Sequence, residues 1–117
     1  NSVERVWFNC RVVIDSTNNG GLISYYYNSG AENVYDAIDD IKFLGFENIS
    51  EIIQKYNMIL FKGSPVPTDI DKRNDYINEL DERTDGLLQN LENELAKILK
   101  DLELSLENYL RKEKMLN

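Results

Sequence analysis

The sequence predicts an all-α fold, a single-domain bundle of five or six helices with a long C-terminal helix. Three observations carry that prediction. Apolar residues recur at steps of three and four along most of the chain, which is the period of a helix face and not of a strand. Glycine and proline fall between the periodic segments, at Gly20-Gly21, at Gly45 and from Gly63 to Pro67, where they stop one helix and redirect the chain into the next. The last third of the chain, from Thr84 onward, carries a heptad-like seam. At 117 residues the chain suits one domain, 1–117, with one core. It opens on Asn1 and not on Met, which leaves room for an upstream segment.

From Ser2 to about Thr17, Val3, Val6, Trp7, Cys10, Val13 and Ile14 share one face and define the first core helix. Phe8 and Val12 fall off that face and call for a second cover, either an upstream segment or a second copy of the chain. Asn18 to Gly21 ends the helix, since glycine takes positive φ without steric cost and asparagine tolerates it. Leu22 to Ser29 reads as a short helix. Its three consecutive tyrosines cannot point one way, so at least one ring enters the core while another faces outward.

Gly30 to Leu44 places Ala31, Val34, Ile38 and Ile41 inward and Glu32, Asp36, Asp39 and Asp40 on the opposite face. Gly45 fits the position after the cap, with Phe46 folding back on Ile41 in a Schellman arrangement. Phe43 sits among the acidic residues, as an interface anchor or folded under the next loop. Asn48 with Glu51 matches a capping box for a helix carrying Ile49, Ile52, Ile53, Tyr56, Ile59 and Leu60, the cleanest amphipathic pattern of the chain. Lys62 to Pro67 cannot continue it, because each proline removes a donor and restricts the residue before it.

Thr68 caps the next helix, which has Asp69 and Asp71 near its positive end. Ile70, Tyr76, Ile77 and Leu80 face inward. Arg73 projects from the middle of that arc and therefore needs a partner, expected as a structural ion pair. Thr84 or Asp85 starts the last helix, whose seam is Leu88, Leu91, Leu95, Ile98, Leu102 and Tyr109, interrupted at Ser105 and widened by Leu106 and Leu110. One continuous helix to Lys114 is predicted, the alternative being a break between Lys100 and Glu103.

Composition narrows function. The chain holds 21 acidic and 13 basic residues, a formal charge of −8, which disfavours direct contact with nucleic-acid phosphates and favours a basic partner. Histidine is absent and Cys10 is the single cysteine, so zinc sites and internal disulfides have no ligands. Cys10 on an apolar stripe reads as a small buried hydrophobe. Asp69-Ile70-Asp71 lacks the glycine and glutamate of a calcium loop, and no Lys, Ser or Thr follows Gly20-Gly21 at the spacing of a phosphate loop. With no nucleophile motif and no cofactor fingerprint, the chain is read as a non-enzyme without metal or cofactor. No apolar run reaches the ~20 residues that span a bilayer and no signal peptide opens the chain, so a cytoplasmic location is expected.

The segment Asn19, Gly20, Gly21, Tyr25, Tyr26, Asn28 and Ser29 resembles the signature of a bacterial domain family of unknown function that includes a DNA-mimic protein. Leu44-Gly45-Phe46, the Pro65 to Pro67 connection and Arg73 are similar to that family's later landmarks, so the resemblance runs from about Trp7 to Tyr109. It implies an all-helical fold. For the mimic member it implies an acidic surface that occupies the DNA-binding face of a transcription factor. The signature residues Asn19, Gly20, Gly21, Tyr25, Tyr26, Asn28 and Arg73 are read as structural.

Two acidic rows are the candidate partner-binding residues: Glu32, Asp36, Asp39 and Asp40, and Asp71, Asp75, Glu79 and Glu82. Residues four apart on a helix rise ~6 Å, against ~3.4 Å of axial advance per nucleotide along one DNA strand. Carboxylates so spaced can meet Lys and Arg side chains arranged to receive a phosphate backbone. The predicted function is therefore a non-catalytic acidic domain that binds a basic, DNA-binding protein. Two alternatives use the same residues differently: a helical homodimer or scaffold built on the C-terminal seam with Phe8, Val12 and Phe43, and an immunity-type protein that masks a basic toxin.

Overall fold

A computed structural model describes the backbone of residues 2–116 and the side chains of residues 2–113. Among the described residues there are six α-helices and no strand: α1 (Val3–Gly20), α2 (Leu22–Tyr26), α3 (Val34–Phe43), α4 (Glu47–Leu60), α5 (Ile70–Asn78) and α6 (Glu82–Leu116), with a 3-10 turn at Ser29–Asn33 ahead of α3. The core lies where α1, α3, α4 and α6 meet. Among the described residues no helix is long and apolar enough to cross a membrane.

Ser2 caps α1 by accepting from the Arg5 amide at 3.2 Å. The helix outlasts the expected stop at Thr17 by one turn. Asn18, Asn19 and Gly20 are helical, and the redirection falls on Gly21 alone, with φ +86°. Thr17 Oγ1 donates back to the Val13 carbonyl at 2.7 Å, and the Gly21 amide donates to the Thr17 carbonyl at 2.8 Å, so the ladder carries through the asparagines. Val12 finds its cover inside the monomer: a Cβ placed on Gly30 would lie 2.7 Å from Val12 Cγ1, so only a glycine lets the 3-10 turn approach this closely. Phe8 remains exposed.

In α2, Tyr25 and Tyr26 are buried while Tyr27 faces outward. Tyr26 is the centre of an aromatic cluster, edge-on to Tyr25 at 5.3 Å and to Phe61 at 5.4 Å and stacked on Tyr56 at 5.9 Å. Its hydroxyl donates to the Asn57 side chain, which satisfies both groups in the interior.

α3 ends as predicted. Gly45, with φ +94°, donates to the Lys42 carbonyl at 2.9 Å and Phe46 to the Ile41 carbonyl at 3.2 Å, the two bonds of a Schellman motif. Because Phe46 leads straight into α4, the predicted Asn48–Glu51 capping box does not form. Asn48 is already inside the first turn, where its Oδ1 accepts from the Ile49 amide at 2.9 Å. α4 closes with the same pair of bonds, Gly63 to the Met58 carbonyl at 2.9 Å and Lys62 to that of Ile59 at 3.4 Å. Here two successive residues have positive φ, Lys62 at +52° and Gly63 at +81°.

Asp69, and not Thr68, caps α5, its Oδ1 accepting from the Asp71 amide at 3.0 Å. Asp81 caps α6 by accepting from the Thr84 amide at 2.7 Å, and that bond holds the Asp81 carboxyl below its ordinary pKa. α6 then runs without a break through Lys100–Glu103. At ~1.5 Å per residue its 35 residues match the 49 Å long dimension of the molecule. Leu88, Leu95, Leu99, Leu102 and Leu106 are buried, so the seam completes the core of the monomer itself. Phe43, offered as an interface anchor or a residue under the next loop, rests edge-on against Tyr109 of α6 at 5.8 Å and keeps about half its surface exposed.

Candidate partner-binding surface

The expected single helical row is split: Asp71 and Asp75 stand on α5, Glu79 is its C-cap and Glu82 opens α6 after the bend at Leu80 and Asp81, so the α5 row lies on and just after α5. Only Arg73 and Ile77 are buried on α5, so the helix touches the bundle along a narrow stripe and turns its remaining faces to solvent. Asp71, Asp75, Glu79 and Glu82 are all exposed, and among the described residues none forms an ion pair. Two cations are nearby. Lys62 and Lys72 line an open groove of about 480 Å³ together with Asp75 and Glu79, which lowers the local charge density of the row.

The row on α3 does not hold as a unit. Glu32, Asp36 and Asp39 are exposed, but Asp40 is 0% exposed and belongs to the interior. Its carboxylate accepts from Arg5 Nε at 3.1 Å and Asn9 Nδ2 at 2.9 Å, with Arg5 Nη2 3.0 Å away. The hydrogen bond to Asp40 raises the Arg5 pKa above its ordinary value, and Arg5 also reaches Asp36 at 3.8 Å. Ala37, three positions before Asp40 on the same side of α3, is also buried, so the covered arc extends to Asp40. Asp40 is thus a strut between α1 and α3 and is withdrawn from the candidate surface.

Of the signature residues, Gly21, Tyr25, Tyr26, Asn28 and Arg73 meet at the corner that joins α2 to α5. Arg73 is 0% exposed and has no carboxylate partner among the described residues; the expected ion pair is replaced by backbone carbonyls. Its Nε donates to Tyr26 O at 2.9 Å, Nη1 to Pro67 O at 2.8 Å and Thr68 O at 2.9 Å, and Nη2 to Asn28 O at 3.0 Å. One guanidinium therefore ties the end of α2 to the start of α5. Asn28 closes the same corner, its Nδ2 donating to the Ser24 carbonyl at 2.8 Å, and Tyr25 donates its hydroxyl to the Gly30 carbonyl at 3.2 Å. Asn19 and Gly20 are exposed.

Sequence reasoning missed the residue on the other side of the corner. Glu92 of α6 accepts from the Leu22 amide at 2.6 Å, the Ile23 amide at 3.2 Å and the Tyr56 hydroxyl at 3.2 Å. It caps α2 from across the bundle. A Cβ on Gly21 would lie 2.7 Å from Glu92 Oε2, so Gly21 is required both for its φ and for this approach. The signal was available: Glu92 stands four residues after Leu88 and three before Leu95, on the seam's own face, as Arg73 stands on the buried face of α5.

A groove of about 500 Å³ opens between α3, α4 and the connector, lined among others by Tyr35, Ile38, Asp39, Met58 and Pro65. The connector residues Gly63, Ser64 and Pro65 form one wall of this groove, while Lys62 and Pro67 line the α5 groove. The connector is therefore a rib between the exposed carboxylate of Asp39 and the α5 row. Among the described residues no cluster of His, Cys, Asp or Glu is arranged to hold a metal ion.

Comparison with curated proteins finds no match to the chain. Comparison with solved structures finds none either. A family model described as DMP19-like protein matches residues 1–113, nearly the whole length, and it spans both the corner and the exposed α5 row. The chain belongs to the DMP19-like protein family.

Proposed function

We propose that this chain is a non-catalytic DNA mimic of the cytoplasm, whose acidic surface occupies the basic DNA-binding face of a transcription factor or another nucleic-acid-binding protein. The observation that carries the reading is the α5 row: Asp71, Asp75, Glu79 and Glu82 are solvent-facing and without ion pairs among the described residues, in a chain of net charge −8 that belongs to the DMP19-like protein family. Glu32, Asp36 and Asp39 add a second, weaker patch, since Arg5 stands 3.8 Å from Asp36. Such a surface acts chiefly on encounter rate and specificity, and its effect is screened by salt.

The test is capture from a native lysate on the immobilised chain, with stepwise salt elution, beside a double variant Asp75→Lys and Glu79→Lys. Both positions are exposed, so the variant should keep its helical signal and thermal stability. The reading expects a DNA-binding protein to be retained by the native chain, released by salt and ignored by the variant. Equal retention on both chains, or retention that resists salt, counts against it. A captured nuclease or toxin would move the assignment to an immunity-type role. A homodimer or scaffold reading rests on Phe8, Phe43 and Leu104, three of the large apolar residues left exposed. It expects a salt-resistant dimer by light scattering that is lost in Phe43→Ser.

A further inference from the structure

We infer that the groove between α3, α4 and the Lys62–Pro67 connector is an apolar subsite for the same basic partner, taking one aliphatic or aromatic side chain flanked by lysine or arginine. The inference rests on the proposed function and adds what the carboxylates alone lack, a contact that salt does not screen. Among polar lining residues such as Gln54 and Ser64, two apolar side chains are left uncovered: Tyr35 is 56% exposed and Met58 62% exposed, both on an open groove of about 500 Å³. That is within the roughly 300–1,000 Å³ range of sites that take a compact ligand group.

The groove is also preformed. Tyr35 accepts from the Val66 amide at 2.9 Å, which fixes its ring against the connector. The Schellman bonds fix the connector's start, and Arg73 holds its end through the carbonyls of Pro67 and Thr68 at 2.8 and 2.9 Å. A rigid wall loses little freedom on binding, and the unbranched Met58 thioether can adapt to the shape it meets.

Charge selects the occupant. Asp39 lines the groove, is exposed and has no ion pair among the described residues, while Asp75 and Glu79 lie across the rib beside Lys62 and Lys72, within the chain's net charge of −8. Lys42, the groove's cation, has its ammonium 3.8 Å from Glu47. Cationic side chains on either side of a seated apolar residue therefore meet carboxylates on both flanks of the connector. An acidic or purely apolar segment would be repelled or left without flanking contacts.

The test is an amide NMR titration of the full chain with two capped peptides, Lys-Arg-Leu-Phe-Arg-Lys and Lys-Arg-Ser-Ser-Arg-Lys, at low and high salt. The first peptide should shift the amides of Ile38, Asp39, Met58 and Ser64, and these shifts should persist at high salt. The second should perturb only the acidic positions and lose its effect with salt. Met58→Ser should weaken the first peptide about tenfold, as expected for losing ~1.4 kcal/mol of apolar contact, and leave the second unchanged. Groove amides that stay still, or that respond equally to both peptides, overturn the subsite. If Asp75 and Glu79 also stay still at low salt, the acidic-surface reading fails with it; if they respond, that reading stands and only the subsite falls.

Discussion

Replacing Arg73 tests the corner on which the positions of α2 and α5 depend. Arg73→Leu keeps an apolar stem but removes every donor to Tyr26, Asn28, Pro67 and Thr68. A hydrogen bond to a charged group contributes ~1.5–3 kcal/mol, so four would sum to ~6–12 kcal/mol if they were independent. They are not, because they share one group and only the Tyr26 bond is fully buried, while the other three carbonyls can recover water. Removing the guanidinium also relieves its own burial, which costs several kcal/mol in the wild type. The net expectation is a loss of about 4 kcal/mol, a large part of the ~5–15 kcal/mol of a typical domain. Arg73→Lys keeps the charge but directs three donors from a single nitrogen, which cannot serve carbonyls on two segments at once, so about 2 kcal/mol should be lost. Urea unfolding followed by circular dichroism gives both values from the midpoint shift at constant slope. A loss under ~1 kcal/mol in both variants would refute the claim that these bonds hold the corner.

Three further outcomes follow from the same geometry. Gly21→Ala should cost about 2 kcal/mol or more in thermal unfolding, from the left-handed φ and from displacing the Glu92 cap, whereas Gly20→Ala, which meets only the movable Ser24 hydroxyl, should lie within ~1 kcal/mol of the native chain. Lys62→Gly should stabilise by about 0.5–1 kcal/mol, because glycine bears φ +52° without the penalty that lysine carries. It should also strengthen capture of a basic partner, since it removes a cation from the groove of Asp75 and Glu79. Raising the pH should unfold the domain. Burial, with the Asp40 charge second, pushes the Cys10 thiol from 9.0 up to about 12, and burial likewise raises the phenols of Tyr25, Tyr26 and Tyr56. These groups ionise first in the unfolded chain, so their contribution is whole below pH 9 and is lost above it, at up to ~1.4 kcal/mol per pH unit for each group that the unfolded chain has ionised. Urea midpoints that stay level from neutral pH to pH 11 would contradict this, as would a Cys10 thiol that reacts with iodoacetamide in the folded chain.

The fold was legible because helix periodicity is a local property. The seam from Leu88 to Leu106, the Schellman stop at Gly45 and the Ile49 to Leu60 stripe all follow from spacing within a few turns. What sequence could not supply was the partner across the bundle. Asp40 looked like a fourth member of an acidic face because nothing local says that Arg5 and Asn9 stand opposite it. Arg73 was recognised as a buried cation, yet its ligands are carbonyls, which every residue carries and no sequence pattern marks. Glu92 escaped altogether, although the rule that singled out Arg73, a charge on a buried arc, applies to it as well. Helix ends went astray by a residue or a turn, at Gly21, Asp69 and Glu47, because caps depend on how the chain enters as much as on residue type.

The most direct measurement of mimicry is competition. With a DNA-binding protein captured by the native chain, the apparent affinity of that protein for duplex DNA is followed as the chain is added. If the carboxylates of Asp71, Asp75, Glu79 and Glu82 stand in for phosphates, apparent Kd should rise in proportion to the chain added, and the charge-reversed variant should leave it unchanged. A ternary complex of the chain, the captured protein and DNA, with DNA affinity untouched, would contradict the account.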